Sequence, residues 1–279
     1  MKLEITKSDF ESAVPAAREP KGKIFEVMTD AISAKVDVIG NYILGEPGTQ
    51  LVENGEGALA DRLREGTKRL ACVGAFLDEM RGLDLVLTAT GFGVVSTQDT
   101  APASKMRVDA LDGDLRRKER MLRSSLVSDL FSVEGWSSTP QRRCNVETLF
   151  YSFNLLQTFA GISRPKPDDW DINVPAMLKA DSLLRTYIGN AYMEELLTQL
   201  TSHKVTEGNF SVIVLCQRFI GASIAQDMRL RSEIYMRLIN HLEDNLQLYS
   251  TYAGSEAYRL NHFKPYENHA EDSAFHFVG

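Results

Sequence analysis

The chain has 279 residues and a formal net charge of −7 at pH 7. Its hydrophobic content of 43% and its charged content of 25% are typical of a soluble globular protein, and the acidic balance argues against a general nucleic-acid-binding protein. No apolar run approaches the roughly 20 residues that span a bilayer, and residues 1–11 lack the apolar core of a signal peptide, so we expect no membrane partner. The three cysteines form no C-x-x-C pair, which indicates buried free thiols in a reducing compartment.

Helical periodicity dominates the chain, because apolar residues recur three or four positions apart. The predicted helices span 24–43, 59–80, 102–130, 145–160, 177–200, 212–224 and 230–249. The third begins at Pro102 and contains Asp112-Gly113-Asp114, which is typical of a break. Three prolines after Gly161 exclude a regular helix as far as Pro175. We therefore interpret 163–175 as a linker between two halves.

An internal repeat relates the two halves. Residues 39–51 (IGNYILGEPGTQL) and 188–200 (IGNAYMEELLTQL) are identical at 7 of 13 positions when they are aligned without gaps. The match predicts a duplicated pair of helices, and chance likeness between helix-forming sequences is the alternative. The predicted organisation is an N-terminal helical domain (1–162), the linker (163–175), a C-terminal helical domain (176–260) and an extended C-terminal arm (261–279).

The run LVLTATGFGVV, from Leu85 to Val95, interrupts the helical pattern. Its G-x-G lacks the third glycine and the following helix that a dinucleotide-binding loop needs. Two β-rich runs around a short turn instead predict a β-hairpin within 84–97. A lone hairpin is marginally stable, so we expect it to pack on its own helices or on another subunit. The residues expected in such contacts are Leu85, Leu87, Phe92, Val94 and Val95.

Basic residues interleaved with acidic ones follow the hairpin along the third predicted helix. A solvated helix face is the ordinary interpretation of such a run, a charged docking surface is the functional one, and direct DNA binding is a third. Arg116 and Arg117 are the candidate docking residues.

The C-terminal arm, NHFKPYENHAEDSAFHFVG, is rich in aromatic residues that lack helical spacing. They are Phe263, Tyr266, Phe275 and Phe277. A disordered tail is normally poor in aromatic residues. An arm that docks in a groove or adds a strand to a sheet would use them, on another subunit or on the protein's own core.

No arrangement of residues predicts catalysis. The five histidines lack H-E-x-x-H or Cys/His zinc spacing, and Asp168-Asp169-Trp170-Asp171 lacks the oxygen ligands of a calcium loop. The chain has neither a nucleophile elbow nor a Walker-type phosphate loop. We therefore expect no enzyme, no cofactor and no metal ion.

The run DLVLTATGFGVVSTQDTAPASKMRV, followed by a long helix, resembles a poorly characterised family encoded in phage and prophage structural-gene clusters, and the arm ending in AFHFVG is similar to that family as well. The resemblance implies a head–tail connector (adaptor), a mostly helical subunit in a ring of about twelve beneath the portal. The implied partners are further copies of the chain, the portal protein, tail proteins, and double-stranded DNA that passes the lumen without specific binding. The implied location is the virion, assembled in the host cytoplasm.

The residues by themselves agree in kind with that resemblance. They predict a mainly α fold, a helical bundle with a duplicated helical pair, one inserted β-hairpin and an extended C-terminal arm, and these are parts suited to an interlocking ring. A soluble helical interaction module without catalytic activity is the alternative, and an enzyme with an unrecognised site is a third hypothesis.

Overall fold

The computed structural model describes residues 1–18, 23–82, 85–88, 91–94 and 105–262, and this part of the protein is mainly α-helical. The helices are α1 (Lys7–Ala13), α2 (Ile24–Ile39), α3 (Gly45–Asn54), α4 (Ala58–Glu79), α5 (Lys105–Leu130), α6 (Pro140–Asn145), α7 (Asn154–Phe159), α8 (Pro167–Ile188), α9 (Asn190–Thr201), α10 (Glu207–Ile224), α11 (Met228–Asp244), α12 (Ser250–Ala253) and α13 (Glu256–Asn261). Two short strands, β1 (Leu85–Thr88) and β2 (Gly91–Val94), lie between α4 and α5 in the chain.

Helix α4 is the centre of the first half, where it packs against α1, α2, α3 and α5. Its buried residues include Leu63, Leu70, Val73 and Phe76. The helices predicted over 24–43 and 59–80 are confirmed. The first is α2 with the π-helical turn Gly40–Leu44 that follows it, and the second is α4.

Helix α10 is the centre of the second half, where it packs against α7, α8 and α11. Gly221 permits the close approach of α7, because a Cβ atom at this position would collide with the backbone carbonyl of Phe159. Polar groups on the buried side of the helix are paired. Tyr192 Oη donates a 2.8 Å hydrogen bond to Asn209 Oδ1, and Asn209 Nδ2 donates one of 2.9 Å to Gln199 Oε1.

Helix α5 runs antiparallel to α4. Arg62 lies 3.2 Å from Asp129 at one end of the pair, and Arg81 lies 3.9 Å from Asp112 at the other. The break predicted at Asp112-Gly113-Asp114 is wrong, because α5 is continuous there. A single glycine costs a helix only about 1 kcal/mol, and packing against α4 together with the 2.7 Å bond from Arg116 Nε to Asp112 offsets that cost. The predicted start at Pro102 lies outside the described residues.

The prediction that 163–175 excludes a regular helix is wrong from Pro167 onward. Pro167 is the first residue of α8, where its missing N–H costs no hydrogen bond. The Asp169 carboxylate accepts a 2.6 Å bond from the Lys166 backbone N–H and so stabilises the helix start. Pro175 lies inside α8 and deprives the Asp171 carbonyl of its donor, but both residues are exposed to water.

Two other predicted helices are interrupted. Residues 146–153 are not helical, since Thr148 Oγ1 accepts a 3.1 Å bond from the Phe150 backbone N–H and turns the chain inward. The helix predicted over 177–200 is divided into α8 and α9 by Gly189, whose φ of 91° belongs to the left-handed region.

The order of helices recurs in the two halves. In each, a long helix leads into a shorter one and then into the buried central helix, as α2, α3 and α4 and again as α8, α9 and α10. The two glycines that the sequence alignment pairs differ in conformation. Gly40 is right-handed helical with φ −56°, whereas Gly189 has positive φ. In the first half the positive φ falls five residues later, at Gly45.

A single cluster of buried apolar residues runs through both halves. It includes Phe10, Phe76, Leu126, Phe150, Phe219 and Leu238. Two buried hydrogen bonds join distant segments. Trp136 Nε1 donates to the Ile43 carbonyl at 3.0 Å, and Gln217 Nε2 donates to the Leu149 carbonyl at 3.1 Å. The segment interpreted as a linker therefore does not separate two cores.

Candidate assembly surface

A pair of strands connects the adjacent ends of α4 and α5. Strands β1 and β2 are antiparallel, and their register sets Leu85 opposite Val94 and Leu87 opposite Phe92. Residues directly opposite each other, and residues two apart along a strand, share a face of the ribbon. The register thus places these four candidate contact residues on one face. Val95, the fifth, lies outside the described residues.

The two candidate docking residues on α5 are both exposed, but they belong to different surfaces. Arg116 is held by Asp112 and borders a cavity toward α2. Arg117 borders an open groove on another side of α5, next to Met121. Adjacent helical residues differ by about 100° in direction, which explains the separation. The structure does not bring the two arginines together.

Other basic residues of α5 hold neighbouring segments in place. Lys118 Nζ donates a 2.5 Å hydrogen bond to the Ala13 carbonyl, and its pKa is lowered by burial and by nearby Arg69. Arg120 pairs with Asp171 of α8. Some basic residues of α5 therefore bond to neighbouring segments, and others are exposed to solvent. Residue spacing did not predict this division.

A cleft of about 240 Å³ opens between α5, the segment after α6, and α8. We call it the α5–α8 cleft and define it by Arg120, Arg123, Cys144, Phe150, Trp170 and Leu178. Phe150 and Trp170 stack at its wall, with ring centroids 6.5 Å apart. Leu178 is exposed. No local sequence pattern indicated this cleft, because its lining comes from three separate segments.

Arg123 is a cation of the α5–α8 cleft that lies near, but is not ion-paired with, Glu119 and Asp171. Its Nη2 donates a 3.0 Å bond to the neutral Asn145 Oδ1. Among the described residues, no carboxylate oxygen lies within 4.0 Å of its guanidinium nitrogens. A second cavity of about 300 Å³ toward α2 shares Arg120 and Arg123, so the two cavities adjoin along one face of α5.

A cluster of charges behind the cleft ties α6, α8 and α9 together. Arg185 donates a 2.6 Å bond to Asp181 and lies 2.8 Å from Glu194, and Arg142 lies 3.8 Å from Glu194. Arg142 and Asp181 are each only 6% exposed. Burial raises the pKa of Asp181 more than its hydrogen bond from Arg185 lowers it. The cluster has a structural role, and helical periodicity alone did not reveal it.

The prediction of buried thiols holds for two of the three cysteines. Cys72 and Cys216 are buried, and burial raises the pKa of Cys72 to about 12. Cys144 is exposed, which corrects the prediction. The reason is its place at the end of α6, next to the cleft rather than on a core-facing stripe.

Asn261 and His262, which the prediction assigned to the C-terminal arm, instead close and cap α13. Helix α13 packs against α8. His262 Nε2 lies 3.2 Å from Glu243 Oε1 of α11. The aromatic candidates Phe263, Tyr266, Phe275 and Phe277 all lie outside the described residues.

Within the ranges that the structure describes, no group of three or more His, Cys, Asp and Glu side chains is arranged to hold a metal ion. None of the described helices is long and apolar enough to cross a membrane.

Residues 36–146 match a family model described as a family of unknown function (DUF6712). The matching segment begins within α2, includes β1, β2 and all of α5, and ends just after α6. No curated protein and no solved structure matches the chain.

Proposed function

We propose that the chain is a virion structural protein, a head–tail connector that forms a ring of about twelve subunits between portal and tail and lines the DNA channel. The observation that carries the proposal is the register of β1 and β2. It sets Leu85, Leu87, Phe92 and Val94 on one face of a ribbon between α4 and α5.

An apolar face on a two-stranded ribbon needs a surface to cover it. Two strands by themselves are marginally stable in water. Burial of apolar area contributes roughly 25 cal/mol per Å², so contact with a neighbouring subunit stabilises both the ribbon and the assembly. In a ring each copy offers the same ribbon to the next copy, and one such contact is repeated around the circle.

Three further features support the ring. The arm contributes Phe263, Tyr266, Phe275 and Phe277 as contacts to a neighbour or to the portal protein. The exposed Arg116 and Arg117 supply polar contacts at the rim of an interface. The net charge of −7 suits a channel wall that does not retain passing DNA.

The resemblance of residues 84–108 to phage structural proteins supports the same class. The segment 36–146, which matches the family of unknown function, contains that run. The duplicated helical pair, the inserted hairpin and the C-terminal arm complete the proposed architecture. The proposed partners are further copies, the portal protein and tail proteins, in a virion assembled in the host cytoplasm.

The first test is quantitative mass spectrometry of purified phage particles, scaled to the portal protein. A copy number close to that of the portal supports a connector ring. Hundreds of copies would indicate a capsid or tail-tube subunit instead. Absence from the particle would contradict the virion role and favour a soluble helical interaction module.

A second test separates the hairpin contact from general stability. The double variant Leu87→Asp/Phe92→Asp places two negative charges on the apolar face, and Thr88→Asp places one negative charge on the opposite face. We expect light scattering after size-exclusion chromatography to show rings for the wild type and for Thr88→Asp, but monomers for the double variant. Rings of unchanged size in the double variant would overturn the assigned contact.

A further inference from the structure

The α5–α8 cleft offers an aromatic wall and, at the same opening, a cation that forms no ion pair within 4.0 Å among the described residues, although Glu147 and Asp171 also line the cleft. Phe150 and Trp170 form the wall, and Arg123 lies at the rim, where it donates a hydrogen bond to the neutral Asn145 amide oxygen and has the charges of Glu119 and Asp171 nearby. Leu178 adds an apolar side chain that is 38% exposed. A cleft of this composition suits a peptide that carries both aromatic and acidic side chains.

One segment of the chain has that composition. Of the residues outside the described part, only 263–279 contain aromatic side chains, namely Phe263, Tyr266, Phe275 and Phe277. The same segment carries three carboxylates and one lysine. These are Glu267, Glu271, Asp272 and Lys264. Its net charge is therefore opposite in sign to that of Arg123.

We propose that the α5–α8 cleft is the receptor for residues 263–279 of the same chain in the free subunit. The aromatic residues of the segment match the aromatic wall of Phe150 and Trp170, and its carboxylates match the charge of Arg123. This goes beyond the proposed ring and does not depend on it. Exchange of the segment with a neighbouring subunit during assembly would use the same cleft and require no new surface.

The position of α13 makes the same chain a suitable source of the segment. Helix α13 packs against α8, and Ser255, the residue before α13, contacts Gly189 at the end of α8. The cleft is lined by α8 from Trp170 to Leu178, roughly 17–29 Å from Gly189 along the helix axis. Residues 263–279 in extended conformation span up to about 56 Å, which is enough to reach the cleft and cross it.

Cys144 provides a probe inside the cleft without any engineering. It is the exposed cysteine, whereas Cys72 and Cys216 are buried. The rate at which N-ethylmaleimide alkylates Cys144 in the full-length protein, followed by tryptic mass spectrometry, therefore measures access to the cleft. We expect the double variant Phe275→Ala/Phe277→Ala to raise this alkylation rate about tenfold or more. If the segment occupies the cleft about nine-tenths of the time, its release makes Cys144 about ten times more accessible.

The matched control is Phe210→Ala, which removes another exposed phenylalanine, on α10, and which we expect to leave the rate unchanged. Equal alkylation rates in the wild type and the arm variant would overturn the proposal. If the slow alkylation of Cys144 became fast when the protein was diluted, the segment would come from another chain, and the assignment to the same chain would be overturned. Neither result bears on ring formation, which light scattering measures separately.

Cross-linking gives positive evidence for the location of the segment. With Ala274→Cys in the full-length chain, a short bismaleimide should link the introduced thiol to Cys144. In the control, Cys144→Ser/Ser232→Cys moves the partner thiol to the exposed face of α11, away from the cleft lining. Preferential linkage to Cys144 supports the proposal, and equal or greater linkage in the control contradicts it.

Discussion

Asp181 and Arg185 lie one turn apart on α8 and carry opposite charges toward α9. Asp181 occupies a position that helical spacing assigns to the apolar side of α8, between Met177 and Leu184, and it is buried with them. One of its carboxylate oxygens accepts from Arg185, and the other has no hydrogen-bond partner in the described protein. A buried carboxylate with half of its hydrogen bonds is costly in its charged form.

That cost makes stability depend on pH in a defined direction. Burial raises the pKa of Asp181 above its ordinary 3.8, so the folded state holds this proton more tightly than the unfolded state does. The free energy of unfolding therefore falls as pH rises above 3.8 through the raised pKa. Asp181→Asn removes the buried charge, and it therefore removes this decrease in the free energy of unfolding. We expect urea denaturation between pH 3 and pH 7 to show the variant gaining stability relative to the wild type as pH rises.

Asp9 supplies a control of opposite sign. Burial alone would raise its pKa, but hydrogen bonds from the Thr6 backbone and from Lys68 outweigh burial and lower it. The stability that this carboxylate contributes is present above pH 3.8 and is lost as pH falls through the lowered pKa. The variant Asp9→Asn should therefore lose stability relative to the wild type as pH rises. The same trend in both variants would contradict the assigned causes.

At the scale of elements, α8 shows how context overrides a local rule. Its two prolines differ in position. Pro167 begins the helix, where no N–H is needed, and Pro175 lies in its third turn, where the Asp171 carbonyl loses its donor. The helix persists because Met177, Ala180 and Leu184 bury its following turns in the core.

The two prolines give a matched pair of substitutions. Pro175→Ala restores the hydrogen bond to Asp171 and should raise the free energy of unfolding by about 1–3 kcal/mol. Pro167→Ala should change it by less than about 1 kcal/mol, because an N1 residue has no intrahelical acceptor. Chemical denaturation followed by circular dichroism measures both. A larger gain at Pro167 than at Pro175 would show that the interior proline carries no helical penalty.

The sequence predicted helices better than it predicted their interruptions. Periodicity located α2, α4, α5, α10 and α11, since each keeps an apolar stripe toward the core. The breaks depend on contacts between distant residues. Gly189 turns the chain where Ser255 lies against it, and the segment after α6 turns inward where Gln217 bonds to Leu149. No local pattern encodes such contacts.

For the candidate assembly surface too, local sequence patterns indicate some features and miss others. Two β-rich runs around a short turn predicted a hairpin within 84–97, whereas the register of β1 and β2 depends on how the two runs pair. The α5–α8 cleft was not predictable, because Arg123, Cys144 and Trp170 come from segments with unrelated local patterns. Arg116 and Arg117 were paired by adjacency in sequence, whereas helix geometry sends them to different surfaces.

At the scale of the whole molecule, one cluster of buried apolar residues extends across both predicted domains, residues 1–162 and 176–260. The apolar cluster is continuous, and α5 of the first half contacts α8 of the second. A body of this kind is expected to unfold in a single cooperative transition, because neither half can lose its packing without exposing the other.

The two tryptophans test this cooperativity, since one lies in each half. Trp136 is fully buried beside Phe131 in the first half, and Trp170 belongs to α8 in the second. In Trp136→Phe the fluorescence reports Trp170 alone, and in Trp170→Phe it reports Trp136 alone. Far-UV circular dichroism reports the helices of both halves at once. We expect the urea midpoint from fluorescence to coincide with the midpoint from circular dichroism within each variant.

The fluorescence and circular dichroism midpoints are compared within each variant, because the substitutions themselves change stability. Trp136→Phe leaves the buried Ile43 carbonyl without its donor and should cost about 1–3 kcal/mol, so the midpoints of the two variants will differ. Coincident transitions in both variants would establish one cooperative body despite that difference. If Trp170 instead unfolds at a lower urea concentration than the helices as a whole, the second half opens independently. The cleft between α5 and α8 would then be a hinge between two units rather than a fixed receptor.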